Sequence, residues 1–224
     1  GGDITVKLFP ASQLGQIPRM IEGLQFGTIE GVVAPSAFFI GVDKFNSALA
    51  VPGLFKDVNH CWRTFGDPEF RAIMFPLMEK KGITAISIMC TAPQAFLTKK
   101  KISSLADLKD LRIRVLASPL EIGPLKAAGM KPVPMPLGEV VPALKQNLID
   151  GVSSIPVLFG KLKMDTMAKN ITTSSLIYFG VPTYVSMKFW NKLSGAQKKM
   201  MLTEARAVEK EVRPWNDKAN AGVL

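Results

Sequence analysis

Three short segments with strand character, Leu111–Val115, Lys131–Met135 and Val152–Ser154, are separated by two that read as helices, Pro119–Ala128 and Glu139–Asn147. A helical connection of that length is what joins parallel strands, so this run commits the chain to an α/β architecture. Its first strand is the most informative. Ser104 and Asp107 have the spacing of a capping box, and the capped turn runs directly into Leu111-Arg-Ile-Arg-Val115. Leu111, Ile113 and Val115 alternate with Arg112 and Arg114, so the apolar set can face a core while both guanidinium groups project the other way. A permanently charged planar fork on a rigid strand suits a carboxylate, which it grips through parallel hydrogen bonds.

The same alternation of element types extends over the rest of the chain. Ile4–Phe9 alternates as a strand, Pro18 to Gly27 spans a helix, and Ile29–Ala34 reads as a strand leading to Pro35-Ser-Ala-Phe-Phe39. Asp57–Phe65 and Pro68–Lys81 read as helices closed by Gly82. Ile83–Met89 is dense in β-branched residues and is expected to be a buried parallel strand, with Ala95–Thr98 as a partner. Lys161–Lys169 is expected to be helical, Ser174–Phe179 and Thr183–Met187 to be separate strands, and Lys188–Leu193 a helical turn. A long helix follows from its cap at Ser194, with Met200, Met201, Ala205 and Val208 on its apolar side and a kink at Pro214. No repeat or flexible linker interrupts the chain, so two lobes must be joined by structured crossings.

The 224 residues are enough for one large domain or two small ones. A net charge of +10 raises the question of nucleic acid, but the only triplet of basic residues is Lys99–Lys101, without interleaved aromatics, and reads as a solvated loop. No apolar run approaches the ~18 residues of a membrane span, and no signal pattern opens the chain, which starts within a strand and reads as a mature or truncated segment. Cys61 and Cys90 are too few for a disulfide framework and too far apart for a zinc or redox motif. Their apolar surroundings suggest buried free thiols, with a single disulfide as the alternative. His60 is the lone histidine and has no obvious nucleophile beside it, and no cluster argues for a metal or other cofactor.

Phe9–Gly15, Gly27-Thr-Ile-Glu30, Ser104–Val115, Gly129-Met-Lys-Pro132, Glu139-Val140, Ala143-Leu144 and Ile149-Asp-Gly151 occur in an order and spacing that resembles a known family. That family is the DctP-type substrate-binding proteins, the extracytoplasmic solute receptors of TRAP transporters. The resemblance implies a two-lobed, periplasmic-binding-protein-like α/β fold with a long helix spanning both lobes. Lobe 1 would comprise residues 1–91 and 180–219, and lobe 2 residues 92–179 and 220–224. It also implies a periplasmic location, a small carboxylate ligand without cofactor, delivery to TRAP membrane permease subunits, and further segments before Ile4 and after Leu224.

By position, Arg114 matches the arginine that pairs with the ligand's carboxylate in that family, whereas Arg112 reads better as a structural ion pair. Gln94 falls where many members place a second arginine, and Ser154 where many have asparagine. Ile17, Pro35, Ala117 and Leu137 stand where sialic-acid-binding relatives carry Asp, Glu, Asn and Phe. A polyhydroxylated ligand would therefore leave buried polar groups unmatched, at roughly 1–3 kcal/mol each. An apolar or aromatic monocarboxylate fits better. Arg114, Gln94, Ser154, Pro35, Ser36, Phe38, Ala117, Leu137 and Phe179 form the candidate ligand site, with Phe159, Tyr178 and Tyr184 as further candidate walls and Trp190 and Trp215 expected to pack. An enzyme is the less favoured reading, since no P-loop, dinucleotide fingerprint, nucleophile elbow or metal cluster is present. A sensory or interaction module that binds an organic anion without transport is the other alternative.

Overall fold

The computed structural model describes residues 4–10 and 12–222. Gly1–Asp3 and Ala11, which flank and follow the expected first strand, and Val223–Leu224, the end of the expected second lobe, lie outside the described residues. In chain order the elements are α1 (Ile17–Phe26), β1 (Gly31–Val33), α2 (Val58–Gly66), α3 (Pro68–Met74), β2 (Ile83–Thr98), β3 (Arg112–Val115), α4 (Pro119–Ala127), β4 (Lys131–Pro134), α5 (Leu137–Lys145), β5 (Gly151–Ser154), α6 (Pro156–Lys161), β6 (Asn170–Ser186), α7 (Met187–Trp190) and α8 (Gly195–Ala221). The strands form one six-stranded sheet in the order β1-β6-β2-β5-β3-β4.

Two long strands carry the sheet from end to end. β2 and β6 pair antiparallel along almost their full lengths, with register shifts between Ala85 and Ser87 and between Cys90 and Ala95. On one side of the second break β2 faces only β6. On the other side it also pairs, antiparallel, with β5, which runs parallel to β3, which in turn runs parallel to β4. Separate apolar clusters cover the faces of each half: Ile21, Leu24, Val32, Phe39, Ile83 and Tyr184 in one, and Leu97, Val140, Leu144, Ile149 and Val152 in another. A small cluster of Ala50, Ile177 and Phe179 with Leu116 and Ile155 packs between them.

The βαβαβ run is as the sequence reads, and Gly151 shows how tightly it is assembled. A Cβ there would stand 2.5 Å from the carbonyl oxygen of Leu97, so only glycine lets β5 enter beside β2. Other expectations change. Ile83–Met89 is antiparallel, because a buried apolar run reveals burial but not the direction of its neighbour. The two strands expected within 174–187 are one, Gly180 and Pro182 continuing β6 rather than breaking it. The helix expected at Lys161–Lys169 forms earlier, over Pro156–Lys161, with only a 3-10 turn at Met164–Thr166. Ile4–Phe9 is not a strand: among the described residues nothing pairs with its backbone, and Val6 and Leu8 are exposed.

α8 departs most from its apolar pattern. It runs through Pro214, and Met200, Val208 and Trp215, the last of which was expected to pack, are exposed, while its buried residues are Glu209, Asn216 and Asn220. Up to Cys90, β2 has a strand on one side only, and α8 closes the open edge with polar side chains. The Glu209 carboxylate accepts from Ile88 N at 2.9 Å and from Arg71 Nη2 at 2.7 Å, and Asn216 Nδ2 donates to Cys90 O at 3.5 Å. Further on, Asn220 Oδ1 accepts from Val157 N at 3.0 Å, so the helix ties both halves of the sheet together.

Cys61 and Cys90 form a disulfide, with their Cα atoms 6.2 Å apart, fastening α2 to β2. This replaces the expectation of free thiols: both residues are buried in one cluster with Trp62, Phe65 and Tyr178, so burial and pairing coincide. Among the described residues no helix is long and apolar enough to cross a membrane.

Candidate functional site

The C-terminal ends of the three parallel strands β3, β4 and β5 gather at one edge, the side of an open α/β sheet where ligands characteristically bind. Arg114 lies near the end of β3, with Leu116–Ser118 as the connection to α4. Met135–Pro136 leads from β4 to α5, and Ser154 ends β5.

Arg114 is 2% exposed, the largest side chain buried so deeply. Its Nε donates to the carbonyl oxygen of Met135 at 2.9 Å, and among the described residues no other hydrogen bond or ion pair engages its terminal nitrogens. Burial draws its pKa down, and the charge of Glu121 opposes that shift. A buried guanidinium without a hydrogen-bonded counter-anion is costly, so such an arrangement asks for an anion.

Arg112 is its contrast. Half-exposed, it donates through Nε and Nη2 to both carboxylate oxygens of Asp150, at 2.9 and 2.7 Å, and its backbone N–H donates to the same carboxylate. This is the structural ion pair expected from the sequence. Asp150 is held below the usual carboxylate range chiefly by that bond. The Ile149-Asp-Gly151 run thus supplies a core residue, the partner of Arg112 and the close approach of β5. Lys99 is not simply solvated, since its ammonium donates to the carbonyls of Leu144 and Ile149 and to Asn147 Oδ1, capping the end of α5.

Behind Arg114 lies a polar cluster centred on Glu121, which sequence reasoning missed. Glu121 is 2% exposed. Its Oε1 accepts from Gln94 Nε2 at 3.1 Å and from the Ser153 hydroxyl, and its Oε2 accepts from Leu116 N at 2.9 Å. Gln94 Nε2 also donates to Ser153 Oγ at 2.8 Å, and Gln94 Oε1 accepts from Ser174 Oγ at 2.9 Å. Both amide hydrogens of Gln94 are therefore engaged, and only an acceptor site on its oxygen remains. Burial raises the Glu121 pKa, against the lowering effects of Ser153, Leu116 N, Arg114 and Gln94. One signal pointed to this residue, Ser118-Pro-Leu-Glu121, which has capping-box spacing, but it misleads. Ser118 makes no side-chain cap, its hydroxyl is buried without a partner, and the Glu121 carboxylate turns into the cluster.

The other expected residues divide. Ser154 is adjacent to Ser153 on β5 and buried, and Ala117 and Leu137 are exposed on the connections flanking Arg114. Phe179 is buried in the cluster between the two halves. Pro35, Ser36 and Phe38 follow β1, and Phe38 packs half-buried against the core containing Val32 and Phe39, with no hydrogen bond linking this segment to Arg114. Phe159 lies wholly within the core below β5. Tyr178 belongs to the disulfide cluster, and Tyr184 donates to Asn46 Oδ1 at 2.9 Å, so these three are packing residues. An open groove of about 790 Å³ along α8, lined by Lys198, Leu202, Arg206 and Lys210 among others, lies on the surface and encloses no buried polar cluster.

This fold, with its gathered strand ends, is that of the two-lobed solute-binding proteins. The family model for DctP, bacterial extracellular solute-binding protein family 7, matches residues 1–224, and the chain belongs to that family, whose members are receptors and not enzymes. It is 33% identical over 150 residues to the 2,3-diketo-L-gulonate-binding periplasmic protein YiaO of Escherichia coli, covering 66% of this chain and 45% of that one. It is 26% identical over 194 residues to the C4-dicarboxylate-binding periplasmic protein DctP of Rhodobacter capsulatus, covering 86% and 58%. Among solved structures, a TRAP periplasmic solute-binding protein from Desulfovibrio salexigens with bound orotic acid superimposes with a TM-score of 0.94 at 27% identity, covering 100% of this chain and 72% of that one. One from Pseudomonas putida F1 with bound D-glucuronate gives 0.93 at 28% identity, covering 99% and 73%. The chain thus spans about half of the two curated relatives' lengths.

Proposed function

We propose that this chain is the ligand-binding part of a TRAP receptor that captures a small organic acid by its carboxylate on Arg114, in a cleft between two lobes, and delivers it to the membrane permease. The observation that carries this reading is a guanidinium 2% exposed whose terminal nitrogens have no protein partner among the described residues, at the carboxyl ends of three parallel strands. Its support from outside the chain is that related structures hold orotic acid and D-glucuronate, both carboxylates. In this reading the lobes comprise residues 1–91 with 180–219 and residues 92–179 with 220–224, and the register breaks of β2 and β6 near Cys90–Ala95 are the crossing. The ligand closes the lobes because it makes contacts in the closed state that the open state lacks.

Ser154 borders the carboxylate and Gln94, left with only an acceptor, faces a donor on the ligand, while Ala117, Leu137, Pro35, Ser36, Phe38 and Phe179 surround its body. That lining favours a flat or apolar monocarboxylate over a polyol. The disulfide is consistent with the oxidising periplasm, since such bonds are rare in reducing compartments. A thermal-shift screen of the full-length receptor against orotate, D-glucuronate, D-galacturonate, L-gulonate, pantoate and L-malate tests the reading. An acid held at about a hundred times its Kd adds about 2.7 kcal/mol of stability. We expect orotate or pantoate to exceed the sugar acids, and no shift from any of the six would refute the carboxylate assignment.

A further inference from the structure

Glu121 faces groups from every element packed around it. From β2 comes Gln94, from β5 Ser153, from the β3–α4 connection the Leu116 N–H, and from β3 Arg114. Among the described residues Arg114 supplies the only charge acting on it. The ionisable residues of the neighbouring segments face elsewhere: Lys44 and Lys126 are exposed, and Lys131 pairs with Asp110. Glu121 is near enough to be felt by Arg114, yet its oxygens are held by other donors and the two do not form an ion pair. It therefore balances the buried cation without occupying the nitrogens a ligand needs.

We propose, building on the carboxylate reading above, that Glu121 is a positioning residue that takes up one proton when an organic anion docks on Arg114, so that capture tightens as the pH falls. Three donors, Gln94 Nε2, the Ser153 hydroxyl and Leu116 N, converge on the Glu121 oxygens, an arrangement that suits a carboxylate acting as the counter-charge of Arg114. A docked ligand carboxylate assumes that role, leaving two anions to share one cation in a buried site, and one of them is then driven to protonate. Glu121 is the one without a direct bond to the cation. The proton comes from solvent and no covalent bond between heavy atoms changes. The Ser153 hydroxyl donates to Oε1 and so favours the ionised carboxylate, a bond that protonation gives up. Burial already holds Glu121 above the usual carboxylate range, so the proton is gained at a pH where the ligand itself stays ionised.

The test is calorimetric titration of the full-length receptor with orotate, D-glucuronate and L-malate, from about pH 5.5 to about pH 8, in two buffers of different ionisation enthalpy. For whichever acid binds, we expect uptake approaching one proton and an affinity that rises up to about tenfold per unit fall in pH across the window. Glu121→Gln should remove both effects, and His60→Gln should remove neither. Ser153→Ala withdraws a bond that favours the ionised form, so it should move the window to higher pH, and this arm decides the matter if Glu121→Gln does not fold. Binding that requires Arg114 but exchanges no proton overturns the role of Glu121 alone. So does uptake that survives Glu121→Gln, disappears with His60→Gln, or keeps its window in Ser153→Ala. Binding unaffected by Arg114→Gln, or binding of none of the three acids, overturns the carboxylate reading itself.

Discussion

Arg71 and Arg114 are both buried, and each lies in the field of a buried glutamate. Arg71 Nη2 sits 2.7 Å from Glu209, and its Nε donates to Phe65 O, so the cation is closed off and α8 is locked onto β2. Arg114 has one backbone carbonyl, and its glutamate is turned away by Gln94, Ser153 and Leu116 N. The same two residue types thus make a clamp in one place and, in the other, a guanidinium with no ion-pair partner among the described residues, and what separates them is which donors hold the carboxylate. Arg112, paired with Asp150 at the surface, is the solvated version of the clamp.

Breaking the clamp should have the largest effect. Glu209→Ala leaves Arg71 buried without its partner and Ile88 N without an acceptor, and we expect a loss of about 3 to 5 kcal/mol in urea unfolding. Removing the disulfide with Cys61→Ser and Cys90→Ser frees a loop defined by a separation of 29 residues and should cost about 3.5 kcal/mol on the chain-entropy model. At Arg114, on the proposed reading, the loss falls on binding and not on folding: Arg114→Gln should weaken carboxylate binding by roughly ten- to a hundredfold, the worth of a charged hydrogen bond of about 1.5 to 3 kcal/mol. Glu121 has a raised pKa in the folded state, so its contribution is fully present below the unfolded carboxylate pKa and is lost as the pH rises through the folded value. Thermal midpoints of Glu121→Gln and the parent should therefore draw apart across that window in favour of Glu121→Gln as pH rises. Smallest of all, Arg112→Ala should leave carboxylate affinity unchanged, since that side chain faces solvent and Asp150.

The strand carrying Arg112 and Arg114 was legible because alternation is a geometric fact that a sequence carries, but alternation put both arginines on one face, and it was the family resemblance that singled out Arg114. Glu121 was not legible, because a glutamate three residues after a serine at a helix start reads as a cap, and its real partners, Gln94 and Ser153, are 27 and 32 residues away. α8 failed for a related reason. Its methionines follow a helical period, yet the edge it covers exposes backbone amides and carbonyls, which glutamate and asparagine satisfy and methionine does not. Strand direction in β2 was illegible because its neighbours come from distant parts of the chain. The family resemblance supplied the two-lobed fold, which local patterns alone left open.

The most direct test of the account is to titrate the full-length receptor, beside its Arg114→Gln and Arg112→Gln variants, with the acid that stabilises it most. The account predicts that affinity collapses in Arg114→Gln and is retained in Arg112→Gln. Equal affinity in all three proteins would contradict it.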